Sequence, residues 1–95
     1  MTKRHLKCWP FFFHLVADGS KTFEIRRGEF KRGEILVMDE YDPEPNHYSG
    51  NECDVEVLSV FPLRVIFEML AGPWGVDPKA IPEDMVIMSI KRVRP

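Results

Sequence analysis

The chain predicts a small mixed α+β barrel, with five or six short, mostly antiparallel strands and two short helices. Three observations predict it. Apolar and polar residues alternate over several short windows, as half-buried strands require. Two other segments carry apolar residues at helical spacing. The two kinds of segment do not alternate in the βαβ rhythm of a parallel sheet. Ninety-five residues, 44% apolar and 12% aromatic, make one globular domain over 1–95 with room for a modest core.

The elements follow in order. Lys3 to Trp9, apolar at Leu6, Cys8 and Trp9, reads as a first strand. Pro10 suits the first turn of a helix, where its missing N–H is not needed. Phe12, Phe13, Leu15 and Val16 then give an apolar stripe up to Asp18, and Gly19 fits the left-handed position just past the end. In the next strand Phe23 and Ile25 share one face, while Thr22, Glu24 and Arg26 share the other. Gly28 and Gly33 bracket a charged turn, and Ile35 to Asp42 is the clearest long strand. With Leu36 and Met38 facing inward, Glu40 and Asp42 share their side, so the strand passes from core to a rim or cavity.

Pro43 to Asn46 is a loop by composition, and Tyr48 to Asn51 reads as a turn into a strand over Asp54 to Phe61. Pro62 opens a second helix, Leu63 to Ala71, which Gly72-Pro73 ends. Trp74 to Pro82 is a long irregular connection, in which Trp74 is either an anchor or a stacking platform. Met85 to Val93 is an almost unbroken apolar run, as in a central strand buried on both faces.

Charge bounds the partners. A net charge of −2 argues against a generic polyanion binder, but its distribution is uneven. Residues 1–33 hold eight Lys/Arg against Asp18, Glu24 and Glu29, whereas residues 34–56 hold eight acids and no Lys/Arg. Either the molecule has a basic and an acidic side, or the two segments pair across neighbouring strands. No apolar run is long enough to span a bilayer and no signal-peptide core follows Met1, so no membrane partner and a cytoplasmic location are expected. Cys8 and Cys53 are too few for a disulfide framework and read as reduced thiols. His5, His14, His47 and the two cysteines lack the close paired spacings of structural zinc, so neither metal nor cofactor is expected.

The candidate site lies just after the first helix. Lys21, Glu24 and Arg26 place two cations and a carboxylate on one side of a strand, suited to a phosphate or the polar edge of a base. Tyr41, Tyr48 and Trp74 can supply stacking surfaces. The plainer reading is that Glu24–Arg26 is an ordinary same-face pair holding a strand edge.

Gly19-Ser20-Lys21-Thr22-Phe23-Glu24-Ile25-Arg26 fits Gly-x-Lys-x-x-Glu-x-Arg and resembles the signature of ASCH domains, relatives of the PUA RNA-binding fold. Leu6 to Pro10, Arg32 to Leu36, Glu40-Tyr41-Asp42 and Tyr48-Ser49-Gly50 are similar to small bacterial and phage members of unassigned function. The resemblance covers roughly residues 5 to 60. Arg27-Gly28-Glu29-Phe30 departs from it, standing where those members carry an Asn-Asp-Arg turn. It implies a PUA-like pseudobarrel and a nucleic-acid-binding cleft, RNA more than DNA, involving Lys21, Thr22, Glu24, Arg26, Glu40, Tyr41, Tyr48 and Trp74.

Some small ASCH proteins hydrolyse acetylated cytidine with a lysine, a threonine and a distant glutamate. The lysine corresponds to Lys21, but the threonine position holds Glu24, with Thr22 nearby, and Glu40, Glu56 and Glu68 are the candidates for the third group. As an enzyme the chain would rely on Lys21 and Glu24. A third reading is an interaction module that uses the acidic segment 39–56 against a protein partner whose identity the sequence leaves open.

Overall fold

The computed structural model describes residues 3–75 and 77–93, and of residues 70–74 only the backbone. Its elements are β1 (Arg4–Cys8), α1 (Pro10–Ala17), β2 (Phe23–Arg27), β3 (Ile35–Asp42), β4 (His47–Pro62), α2 (Leu63–Trp74), a 3-10 turn at Pro78–Ala80, and β5 (Met85–Arg92). The five strands form one sheet in the order β1-β3-β4-β5-β2. β1 runs parallel to β3, with Cys8 beside Glu40; the other pairings are antiparallel.

The sheet is curled. In a flat sheet four strand spacings would hold β1 and β2 about 19 Å apart. Instead the Arg26 guanidinium of β2 donates through Nη2 to the Lys7 carbonyl of β1 at 2.6 Å. One side chain therefore bridges the two edges, and the sheet is a half-barrel with a seam. The concave face holds the core: Leu36, Met38, Val55, Val57 and Met88 are fully buried, joined by Cys8 and Ile90 and covered by Phe13 and Val16 of α1. Packing on this face sets the register of β3 and β5, because a one-residue slip would turn every core side chain outward.

Three expectations change. Tyr48 to Asn51 is strand, not turn: the reversal is confined to Pro43–Asn46, and β4 begins at His47. Gly50, the apparent turn signal, holds a φ of 92°, which glycine adopts at little cost. Gly72-Pro73 does not end α2, whose backbone stays helical through Trp74 before Gly75 at φ 67°. Finally, β5 lies inside the sheet between β4 and β2, as a central strand should, but is buried on one face only. Met88 and Ile90 are enclosed, Met85, Ile87 and Ser89 are half-buried, and β4 holds the middle of the sheet.

The charge segments pair rather than separate. Lys3 meets Asp54 at 2.6 Å, Arg4 meets Glu34 at 3.4 Å and His5 meets Asp39 at 2.8 Å. The basic start of the chain thus meets acids on or next to β3 and β4, which accounts for the charge distribution without two opposed faces.

Candidate functional site

The site begins with the end of α1. Gly19, at φ 84°, takes the left-handed step past the helix, and its N–H donates to the Val16 carbonyl at 3.1 Å. The Asp18 carboxylate accepts from the backbone N–H of Ser20 at 2.8 Å and also from its hydroxyl, and these bonds hold it below the ordinary carboxylate range. The Lys21 N–H then donates to the Leu15 carbonyl at 2.9 Å. Each bond fixes one residue of the turn, so Lys21 leaves it in a set direction.

β2 has an inverted amphipathicity. Its apolar residues Phe23 and Ile25 are exposed, while Glu24 is 5% exposed. The ladder explains this: Glu24 lies opposite Met88 and Arg26 opposite Val86, so the polar residues share the concave face with the core. A carboxylate that deep needs partners, and it has two. Lys21 Nζ donates to Oε1 at 2.6 Å, and Arg26 Nε donates to Oε2 at 2.5 Å. Among the described residues no buried side-chain polar atom lacks a partner.

Above this triad opens a hollow of about 410 Å³, with Lys21, Glu24 and Arg26 in its wall and Trp9, Phe12 and Phe23 around it. The Lys21 ammonium lies 5.4 Å from the Phe12 ring centre and 5.0 Å from that of Phe23, within cation–π range. The triad carries a net charge of +1. Cys8 also lines the hollow, and burial, followed by the nearby Glu24 charge, pushes its thiol up to about 11. Such a thiol is a poor nucleophile at neutral pH.

The remaining predicted site residues lie elsewhere. Thr22 is exposed outside this hollow, and its carbonyl accepts from the Ile90 N–H at 2.9 Å. Glu40 is buried on the concave face, accepting from Ser49 Oγ at 2.7 Å and Asn51 Nδ2 at 3.1 Å, with His14 Nε2 at 3.2 Å from it. The first two bonds hold its carboxyl below the usual value. Tyr41 is buried, its hydroxyl bonded to Asn46 and its ring 4.8 Å from that of Tyr48 and beneath the Lys7 ammonium. Both tyrosines thus contact each other rather than the hollow. The Trp74 side chain, named as a platform, lies outside the described residues.

The aromatics that do rim the hollow were missed. A signal existed: Phe11, Phe12 and Phe13 cannot all face one core when successive residues turn about 100° around a helix. Phe13 is buried, while Phe11 and Phe12 are exposed. The fold also gathers His5, Asp39 and Glu52, with ligand-type atoms within 4.8 Å of one another, although their sequence spacing gave no hint of it. This cluster is a surface feature in which His5 already pairs with Asp39.

Among solved structures, the chain is similar to an ASCH protein of Zymomonas mobilis, with a TM-score of 0.56 at 13% identity over 98% of this chain and 71% of that one. At that identity the likeness is one of fold. No match was found among curated proteins. Among the described residues no helix is long and apolar enough to cross a membrane. Residues 4–71, well over half of the chain, match the family described as "Domain of unknown function (DUF3850)", and the chain belongs to that family.

Proposed function

We propose that the chain is a nucleic-acid-binding module whose hollow above Lys21, Glu24 and Arg26 takes a single unstacked base, in RNA more than in DNA. One observation carries this reading: a buried carboxylate with two cations sits in the wall of a hollow that the exposed rings of Trp9, Phe12 and Phe23 also line. Aromatic rings stack on any base, and a fixed carboxylate accepts from an exocyclic amine. The hollow's volume, about 410 Å³, is within the range of small-ligand sites. The preference for RNA rests on the resemblance of the motif to ASCH and PUA domains.

The amidohydrolase reading gains less support. The Lys21 amine that would act as base is the donor of a 2.6 Å ion pair to Glu24, and Thr22 is outside the hollow. The interaction-module reading is weakened because Asp39 and Asp54 of the acidic segment are paired within the chain.

The test is titration calorimetry with the four ribonucleoside 5′-monophosphates and a mixed-sequence hexaribonucleotide. Phe12→Ala should weaken both by about tenfold, the scale of one stacking contact. Lys21→Met should weaken both and flatten the salt dependence of the hexamer. Wild-type affinity in both variants would remove the hollow from the interface.

A further inference from the structure

A second hollow, about 500 Å³ in volume, lies on the other side of Lys21 and has a different character. Lys21, Lys91 and Arg92 line it with the hydroxyl residues Thr22 and Ser89 over a floor of apolar side chains from α1, β4 and β5, and no carboxylate does. The sheet creates it. Pairing of β2 with β5 starts at Phe23 beside Ser89, and Ile90 makes its bond to the Thr22 carbonyl. Beyond that point β5 continues to Arg92 against β4 alone.

A groove therefore opens where β2 would have continued. Strand alternation points the Arg92 amide the same way as the Ile90 amide, into this groove. The Arg92 guanidinium also donates through Nη1 to the Ala17 carbonyl at 2.5 Å, which ties the groove wall to the end of α1.

We infer that this groove is a phosphate track for single-stranded nucleic acid, continuous through Lys21 with the base-binding hollow. The inference rests on the base-binding reading and extends it: a base seated in the first hollow sends its backbone past Lys21 toward Lys91 and Arg92. Lys91 and Arg92 add two cations beside Lys21, whose ammonium already pairs with Glu24; they suit a short run of phosphates, whereas the triad, with its single net charge, suits a base. The ligand is then a strand of at least two nucleotides rather than a free nucleoside.

Lys91→Gln is the informative variant, because Lys91 is exposed and Arg92 also braces α1. Fluorescence anisotropy with a labelled hexaribonucleotide, in a salt series, should show a loss of about three- to tenfold in affinity and a salt slope shallower by about 0.7, the loss of one phosphate contact. Binding of the ribonucleoside monophosphates by calorimetry should not change. An unchanged hexamer slope and affinity in Lys91→Gln, with Phe12→Ala still weakening binding, would overturn the track and leave the base site standing. Silence of Phe12→Ala together with absent monophosphate binding would instead overturn the reading beneath it. A blunt duplex that binds as tightly as the single strand would overturn that underlying reading too, since stacked bases cannot enter the hollow.

Discussion

Two ion pairs in this molecule have the same length and different surroundings. Lys21–Glu24 and Lys3–Asp54 both measure 2.6 Å, but the side chains of the first are 12% and 7% exposed and those of the second 55% and 21%. Distance alone would rank them as equals. Burial does not, because two charges held away from water depend on each other while two at the surface keep their solvent. The first pair belongs to a triad that also stitches the seam of the half-barrel through Arg26 and the Lys7 carbonyl. The second lies among the surface pairs that join β1 to its acidic neighbours.

The largest effect expected from this contrast is at Glu24. Glu24→Ala leaves two cations facing each other on the concave side, and removal of one partner from a buried pair costs about 3 kcal/mol. Arg26, more open than Lys21 at 26% exposed, can relax toward water and keeps the loss at the lower end of the usual range. Glu24→Gln keeps two polar atoms in place and should cost about half as much. Urea denaturation of both variants measures this. A Glu24→Ala midpoint equal to wild type would break the comparison, for the triad would then be no more than a surface pair.

Glu40 gives an intermediate case, read through pH. Its carboxyl is held below the ordinary glutamate value of 4.5, first by the Ser49 hydroxyl and then by the Asn51 amide. The unfolded chain therefore binds a proton at a pH where the native chain does not. Its stabilising contribution is complete above about pH 4.5, and is lost as pH falls through that value to the lower native one. Ser49→Ala combined with Asn51→Ala should remove most of this acid-side slope in denaturation midpoints. An unchanged slope would place the acid sensitivity elsewhere. Because Ser49 and Asn51 lie near the start of β4, the same variant reports whether that end of the strand is anchored through Glu40.

Much of the architecture was legible in local patterns. Pro10 and Gly19 bounded α1, and the limits of β3 were those expected, because each boundary is set by residues next to it in the chain. Long-range arrangement was less legible. The apolar run Met85 to Val93 marked a strand flanked on both sides, as β5 is, but nothing near it says that one of its faces stays half open. Pro73 looked like a stop, but the helical backbone runs one residue past it, to Trp74. At the candidate site, period-2 alternation put Glu24 and Arg26 on one face correctly, yet it cannot say which face is inside. That depends on Met88 and Val86 across the ladder. The same limit misdirected the aromatics, because Tyr41 and Tyr48 were chosen for their type while Trp9, Phe12 and Phe23 have the position.

The smallest effect expected is at Lys3, and it is the sharpest check on the contrast. The hydrogen bond to Asp54, and then its charge, raise the Lys3 ammonium above its ordinary value. Its contribution is therefore present at neutral pH and lost only as pH rises past the ordinary lysine range. Both groups face solvent, so salt screens the attraction and ordering of the lysine chain offsets part of it. Lys3→Gln should leave the urea midpoint at physiological salt where it was, with a small drop visible only at low ionic strength. If Lys3→Gln instead cost as much as Glu24→Gln at both salt concentrations, distance would be the better guide to the strength of these pairs. The buried triad would then lose its claim to hold the seam more firmly than the surface lattice holds β1.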